Sequence, residues 1–167
     1  MTKSIVERLL EHNNWANLRL LEACGSLSDE QLDFQPQSAV HGTIRAMLRH
    51  LATSQEDYLW MLTRFDHPPE RGDPLSLAEL RDVLTQSGGA LVVAAQGGPA
   101  DRLPAPIHLT DGYTVEPWVI LTQVINHATE HREQIKSILS ALGKEPPRLD
   151  GWVYGRQQEA LIPPAQP

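Results

Sequence analysis

From Pro117 to Leu142, apolar residues recur every three or four positions: Leu121, Val124, Ile125, Ala128, Ile135, Ile138, Leu139 and Leu142. That period predicts an amphipathic helix, with Pro117 in its first turn and Gly143 closing it. Two histidines, His127 and His131, interrupt the run four residues apart. On a helix, positions i and i+4 stack on one face, so both imidazoles can turn toward one point. At about 100° per residue, His131 falls inside the apolar stripe and His127 at its edge. The pair therefore faces the interior or a groove. Such a pair often arises by chance or as hydrogen-bonded core histidines, and it also suits two ligands of one metal ion. A catalytic metal site takes a third protein ligand, which must come from elsewhere in the chain.

Three further segments carry the same period. Ser4-Ile-Val-Glu7 has the form of a capping box, and Ile5, Val6, Leu9, Leu10, Ala16, Leu20, Leu21 and Ala23 continue a helix to about Cys24, with Gly25 beyond it. A polar cluster, Glu11-His-Asn-Asn-Trp-Ala-Asn17, sits in its middle, either as a solvated face or as one wall of a pocket. Ser28-Asp-Glu-Gln31 is a second capping box, for one short turn. Thr43 caps the next helix after Gly42, and Ile44, Met47, Leu48, Leu51, Gln55, Tyr58, Leu59 and Leu62 carry it to about Phe65. His50 lies on the flank of that stripe, a place that suits a ligand on a cleft wall or a surface histidine. Pro and Gly make Asp66–Pro74 a loop, with His67 facing solvent. Ser76-Leu-Ala-Glu79 starts another helix, weakened in its middle by Gly88-Gly89 and ended by Gly97-Gly98-Pro99. Leu103–Leu109 and Tyr113–Val115 about Asp111-Gly112 predict a short hairpin or extended segment, with His108 facing away from Ile107 and Leu109. The tail after Lys144 holds five prolines; Trp152 and Tyr154 suggest that it packs back on the body, with order ending between about 155 and 162. The expectation is one all-α domain over 1–167, a four-helix bundle with a short hairpin between its third and fourth long helices.

Composition removes several function classes. The net charge is −7, and no Lys/Arg cluster supplies the positive surface that nucleic-acid phosphates require. No apolar run approaches the length of a membrane span, and the first residues lack a signal-type apolar core. A single cysteine, Cys24, excludes an internal disulfide and suits a small buried side chain in a reducing, cytoplasmic setting.

Several pieces of the chain together resemble a family. Asn14-Trp-Ala-Asn17 is followed by the Leu pair of the first helix, and Gly42-Thr-Ile44 precedes Leu48-Arg-His-Leu51. Asn126-His127 then leads to His131-Arg-Glu-Gln134, and Leu142-Gly143, the double proline, Asp150 and Tyr154 close the pattern. Over roughly residues 5 to 155 the chain is similar to the DinB/YfiT-like family of four-helix-bundle metalloenzymes. The resemblance implies that His50, His127 and His131 form a metal site, and that the protein is a homodimer through helix faces. It also implies chemistry of the kind found among relatives, which join small thiols to electrophiles or isomerise with a thiol. Glu130 departs from the pattern, where another histidine or a small polar residue is usual. It creates a His-x-x-Glu-His string of the protease type, but its side chain points about 100° away from His131, toward solvent or a partner.

Three neutral imidazoles suit Zn, Ni, Fe or Mn, and the residues do not choose among them. The expected function is a metal-dependent thiol S-transferase or hydrolase acting on a small molecule. The alternative is a non-catalytic metal-binding or stress-related bundle, and the blandest reading is a helical dimer without metal. No general base stands out; His12, Asn13 and Tyr58 are candidates for lining the pocket.

Overall fold

A computed structural model describes residues 3–36, 42–63, 70, 72, 75–96, 106–109 and 112–162. Among the described residues, six helices and one two-stranded sheet follow in order: α1 (Ile5–Cys24), α2 (Asp29–Leu32), α3 (Ile44–Thr63), α4 (Leu77–Gln96), β1 (Ile107–His108), β2 (Thr114–Val115), α5 (Pro117–Ala141) and α6 (Gly151–Gln157). The protein is mostly helical, as the apolar period predicts.

Short-range chemistry sets the helix ends. Ser4 Oγ accepts from the backbone N–H of Glu7, whose carboxylate accepts from the Ser4 N–H. Ser28 with Gln31 and Ser76 with Glu79 repeat the reciprocal pattern. Thr43 Oγ1 accepts from the Ala46 N–H, after Gly42 turns the chain at φ +94. Each pair satisfies amides that the first helical turn leaves without intrahelical acceptors. Pro117 opens α5 at its first turn, and Gly143 (φ +69) leaves it in a left-handed conformation that favours glycine.

The four long helices touch in a cycle: α1 packs on α4, α4 on α3, α3 on α5, and α5 on α1. Their apolar stripes meet in two core clusters. One joins Leu20, Leu21, Ile44, Leu48, Leu80, Leu84, Ile135 and Leu139. The other joins Leu10, Leu62, Leu91, Ile120, Leu121 and Val124, with Ile107 of β1. Strands β1 and β2 pair antiparallel, Ile107 opposite Val115 and His108 opposite Thr114. Ile107 is buried and His108 exposed, as their alternation predicts. Cys24 is fully buried, and burial pushes its thiol up to about 12.

Four expectations change. Gly88 does not merely weaken α4: a Cβ there would stand 2.1 Å from Asn14 Oδ1, so the α1–α4 contact needs the missing side chain. The tail packs back on the body through Tyr154, as expected, but it also forms a helix that the sequence expectation does not include. Asp150 Oδ1 accepts from the N–H groups of Trp152 and Val153, and the caps start α6. Of the aromatic pair, Tyr154 packs on Trp15 and His12, whereas Trp152 is 70% exposed. The mid-helix polar cluster of α1 is neither wholly solvated nor a pocket wall, because Asn13 and Asn17 are buried. His67, the turn residue Asp111, most of the loop 66–74, Gly97-Gly98-Pro99 and the residues from Pro163 on lie outside the described residues.

Candidate metal centre

His50 comes from the first half of α3, and His127 and His131 from consecutive turns of α5. Packing of α3 against α5 brings the three rings together. His50 Nε2 stands 3.0 Å from His127 Nε2, and His131 Nε2 stands 3.2 Å from the same atom. Ring centroids are 4.5–4.9 Å apart, and the three ligand atoms all lie within 4.8 Å of one another. Burial is graded: His131 is buried, His127 half-buried and His50 exposed. The cluster thus opens on the α3 side.

Neighbouring groups orient the rings. Gln134 Oε1 lies 3.1 Å from His131 Nδ1. A carboxamide oxygen only accepts, so Nδ1 carries the proton and the lone pair is on Nε2, facing the cluster. Ser54 Oγ lies 3.4 Å from His50 Nδ1. The Tyr58 ring meets His127 edge-on, with centroids 5.7 Å apart. Burial, followed by the neighbouring His131 and His50 rings, pulls His127 down to about 4. At neutral pH that ring is therefore uncharged, with a lone pair for a cation.

The donor set fits one transition-metal ion. Nitrogens about 2.0–2.1 Å from a common ion at the tetrahedral angle stand about 3.3 Å apart. The 3.0 and 3.2 Å separations to His127 approach that spacing, and the His50–His131 pair lies within 4.8 Å. Beside the cluster, His50 forms part of the wall of a cleft of about 760 Å³ with Thr43, Arg45, Arg49 and Thr53. Arg45 is held in that wall by Asp33 and Asp29, at 2.8 and 2.6 Å.

The three sequence-predicted ligands thus converge. Of the pocket-lining candidates, Tyr58 reaches the cluster and two do not. His12 Nε2 bonds the Leu149 carbonyl oxygen (2.8 Å) and its ring packs on Trp15 and Tyr154. Asn13 is committed to Arg132. Glu130 is exposed, as its position on the wheel predicts. Gln134 is part of the sequence pattern around His131 and Ser54 shares the side of α3 that bears His50, but neither was assigned a role toward the rings, although the one-turn spacing on the same faces could have found it.

A mostly helical protein with three histidines gathered from two helices defines a class: a helical protein with a candidate metal centre. The profile of the DinB family matches residues 1–163, and the chain belongs to that family. No curated protein matches it. Family membership and the histidine cluster are compatible with metal binding.

Proposed function

We propose that His50, His127 and His131 hold one divalent ion, and that the protein is a metal-dependent enzyme of the thiol S-transferase or hydrolase type. The convergence of three imidazole nitrogens at 3.0 and 3.2 Å carries this reading. Zn, Ni, Fe and Mn all accept such a donor set. When bound, the ion would supply Lewis acidity, making a thiol or water acidic enough to ionise near neutral pH.

The chain's own residues do the rest. Gln134 and Ser54 fix the ring orientations, as partners of metal-ligating histidines do. Tyr58 packs edge-on against His127, and His131 is the buried member of the three. The cleft beside His50 has room for a small molecule and polar walls to orient it. Three protein donors beside such a cleft favour catalysis over a purely structural ion, whose shell a fourth protein ligand usually closes. The cyclic contacts among α1, α4, α3 and α5 support a four-helix bundle forming one domain. Among the described residues, no helix is long and apolar enough to cross a membrane. We infer a cytoplasmic homodimer without nucleic-acid partners; the acidic charge supports the last point.

The test is metal analysis of untagged protein, which should yield about one ion per chain. His50→Ala and His127→Ala should each abolish uptake; retention in both would end the proposal. The loaded enzyme should then join a small thiol to a model electrophile. Failure across a broad thiol panel, with metal retained, would favour a non-catalytic metal-binding protein instead.

A further inference from the structure

Behind the histidines lies a second buried polar assembly. Arg132 is almost wholly buried, and it donates to neutral side-chain acceptors. Nη1 donates to Asn13 Oδ1 (2.8 Å) and Asn17 Oδ1 (2.6 Å), and Nη2 donates to Thr129 Oγ1 (2.8 Å). Asn17 in turn donates from Nδ2 to Gln55 Oε1 (3.0 Å). Gln55 Nε2 donates to Ser87 Oγ (2.8 Å) and the Leu84 carbonyl oxygen (3.2 Å). Ser87 Oγ donates to the Val83 carbonyl oxygen (2.6 Å). One chain of hydrogen bonds thus crosses α5, α1, α3 and α4.

Its register against the histidines is the same on both ligand-bearing helices. Gln55 follows His50 by five residues on α3, and Arg132 follows His127 by five on α5. Five residues turn a helix by about 500°, which leaves the two side chains about 140° apart. On each helix, therefore, one flank of the core-facing stripe carries a histidine and the other flank carries a member of the network. Asn17, on α1, joins the two network members with opposite ends of one carboxamide. Neither α3 nor α5 can rotate about its axis without breaking a bond to Asn17.

Rotation is what a site shared between two helices must resist. A 20° rotation moves a Cα by about 0.8 Å on its radius of about 2.3 Å, and the ring atoms farther out move more. Metal–ligand distances tolerate only about 0.2 Å. We propose that Asn17 is the positioning residue of the metal centre: through Arg132 and Gln55 it sets the rotation of α5 and α3, and so the spacing between His50 and the His127/His131 pair. This inference rests on the reading of the three histidines as a metal site.

The experiment titrates metal-free protein with Co²⁺, following its d–d absorption, alongside urea unfolding of the same samples. The set is wild type, Asn17→Ala, Asn17→Asp, Gln55→Met and Leu20→Ala. Leu20 is fully buried on α1, one turn from Asn17, and belongs to the apolar core instead of the network. Asn17→Ala should weaken Co²⁺ binding at least tenfold and change the absorption band, as loss of groups that orient ligands does. Asn17→Asp keeps the acceptor for Arg132 but loses the Nδ2 donor to Gln55, so it should weaken Co²⁺ binding to the same degree as Gln55→Met. Leu20→Ala should lose urea resistance while keeping affinity and band. If Asn17→Ala fails to fold, Gln55→Met, which cuts only the α3 arm, should show the same loss of affinity. Equal affinity losses in the asparagine (or glutamine) and leucine variants, or none in the former, overturn the inference. A wild-type protein that takes up no Co²⁺ overturns the metal-site reading itself.

Discussion

Two polar assemblies occupy neighbouring parts of one helical interior, and their hydrogen-bond accounts differ. In the Arg132–Asn17–Gln55–Ser87 network, donors meet oxygen acceptors from link to link. In the histidine cluster, ring nitrogens converge on one another, with Nε2 of His131 a lone pair by virtue of Gln134. Buried polar groups ordinarily find partners of the opposite kind. The ring nitrogens lie within hydrogen-bond distance of one another and also form a group that could hold a cation. The comparison separates a network whose hydrogen bonds the protein closes by itself from a cluster that is compatible with metal binding.

The contrast can be broken by mutating each side. His127→Ala should produce the largest effect, loss of metal binding by at least a hundredfold in a titration, since it removes the ring central to both short contacts. Stability of the metal-free form should change by less than about 1 kcal/mol, because the ring is only half-buried. Arg132→Met should invert the pattern of stability. It leaves the Asn13 and Asn17 oxygens without their donor and should cost about 3 kcal/mol in urea unfolding. If the two variants destabilise alike, the distinction between the assemblies fails.

The same logic applies to the adjacent glycines of α4. Gly88→Ala puts a methyl group onto the Asn14 carboxamide and should destabilise by about 1–3 kcal/mol. Gly89→Ala meets nothing within 4 Å and should stabilise by about 0.5–1 kcal/mol, the helix-propensity gain. Thermal or urea unfolding of the pair checks both signs.

A pH dependence also separates the two assemblies. His127 titrates at about 4 in the folded metal-free protein, against an ordinary value of 6.5. Between these values the unfolded chain binds the extra proton, so folding stability falls as pH drops from about 6.5 toward 4 and is fully present above. His127→Gln should flatten that part of the stability–pH curve; an unchanged slope would show that this ring does not carry it. The network has no group expected to titrate in that window, since burial lowers Arg132 only to about 10.

Much of the helical frame was legible in the chain. Ser4 with Glu7, Ser28 with Gln31 and Ser76 with Glu79 are reciprocal pairs three residues apart, and the apolar stripes repeat every three to four. Both are short-range features, decided within a turn or two. The buried fate of Asn13 and Asn17 was not legible, because carboxamides on a helix read the same whether they face water or a guanidinium on another element. Helix α6 was hidden for a related reason: its seven residues include two glycines, and only the Asp150 cap and the docking of Tyr154 on Trp15 reveal it.

The amino-acid order alone determined that His127 and His131 share a helix face, because helical pitch is a property of the backbone and needs no partner. Only tertiary packing decided that His50, 77 residues from His127, reaches the same point. It also decided that Gly88 must lack a side chain and that Arg132 finds amides instead of acids. Such meetings depend on how helices rotate against one another, and that rotation is set by the summed contacts of the whole core, which no local pattern encodes.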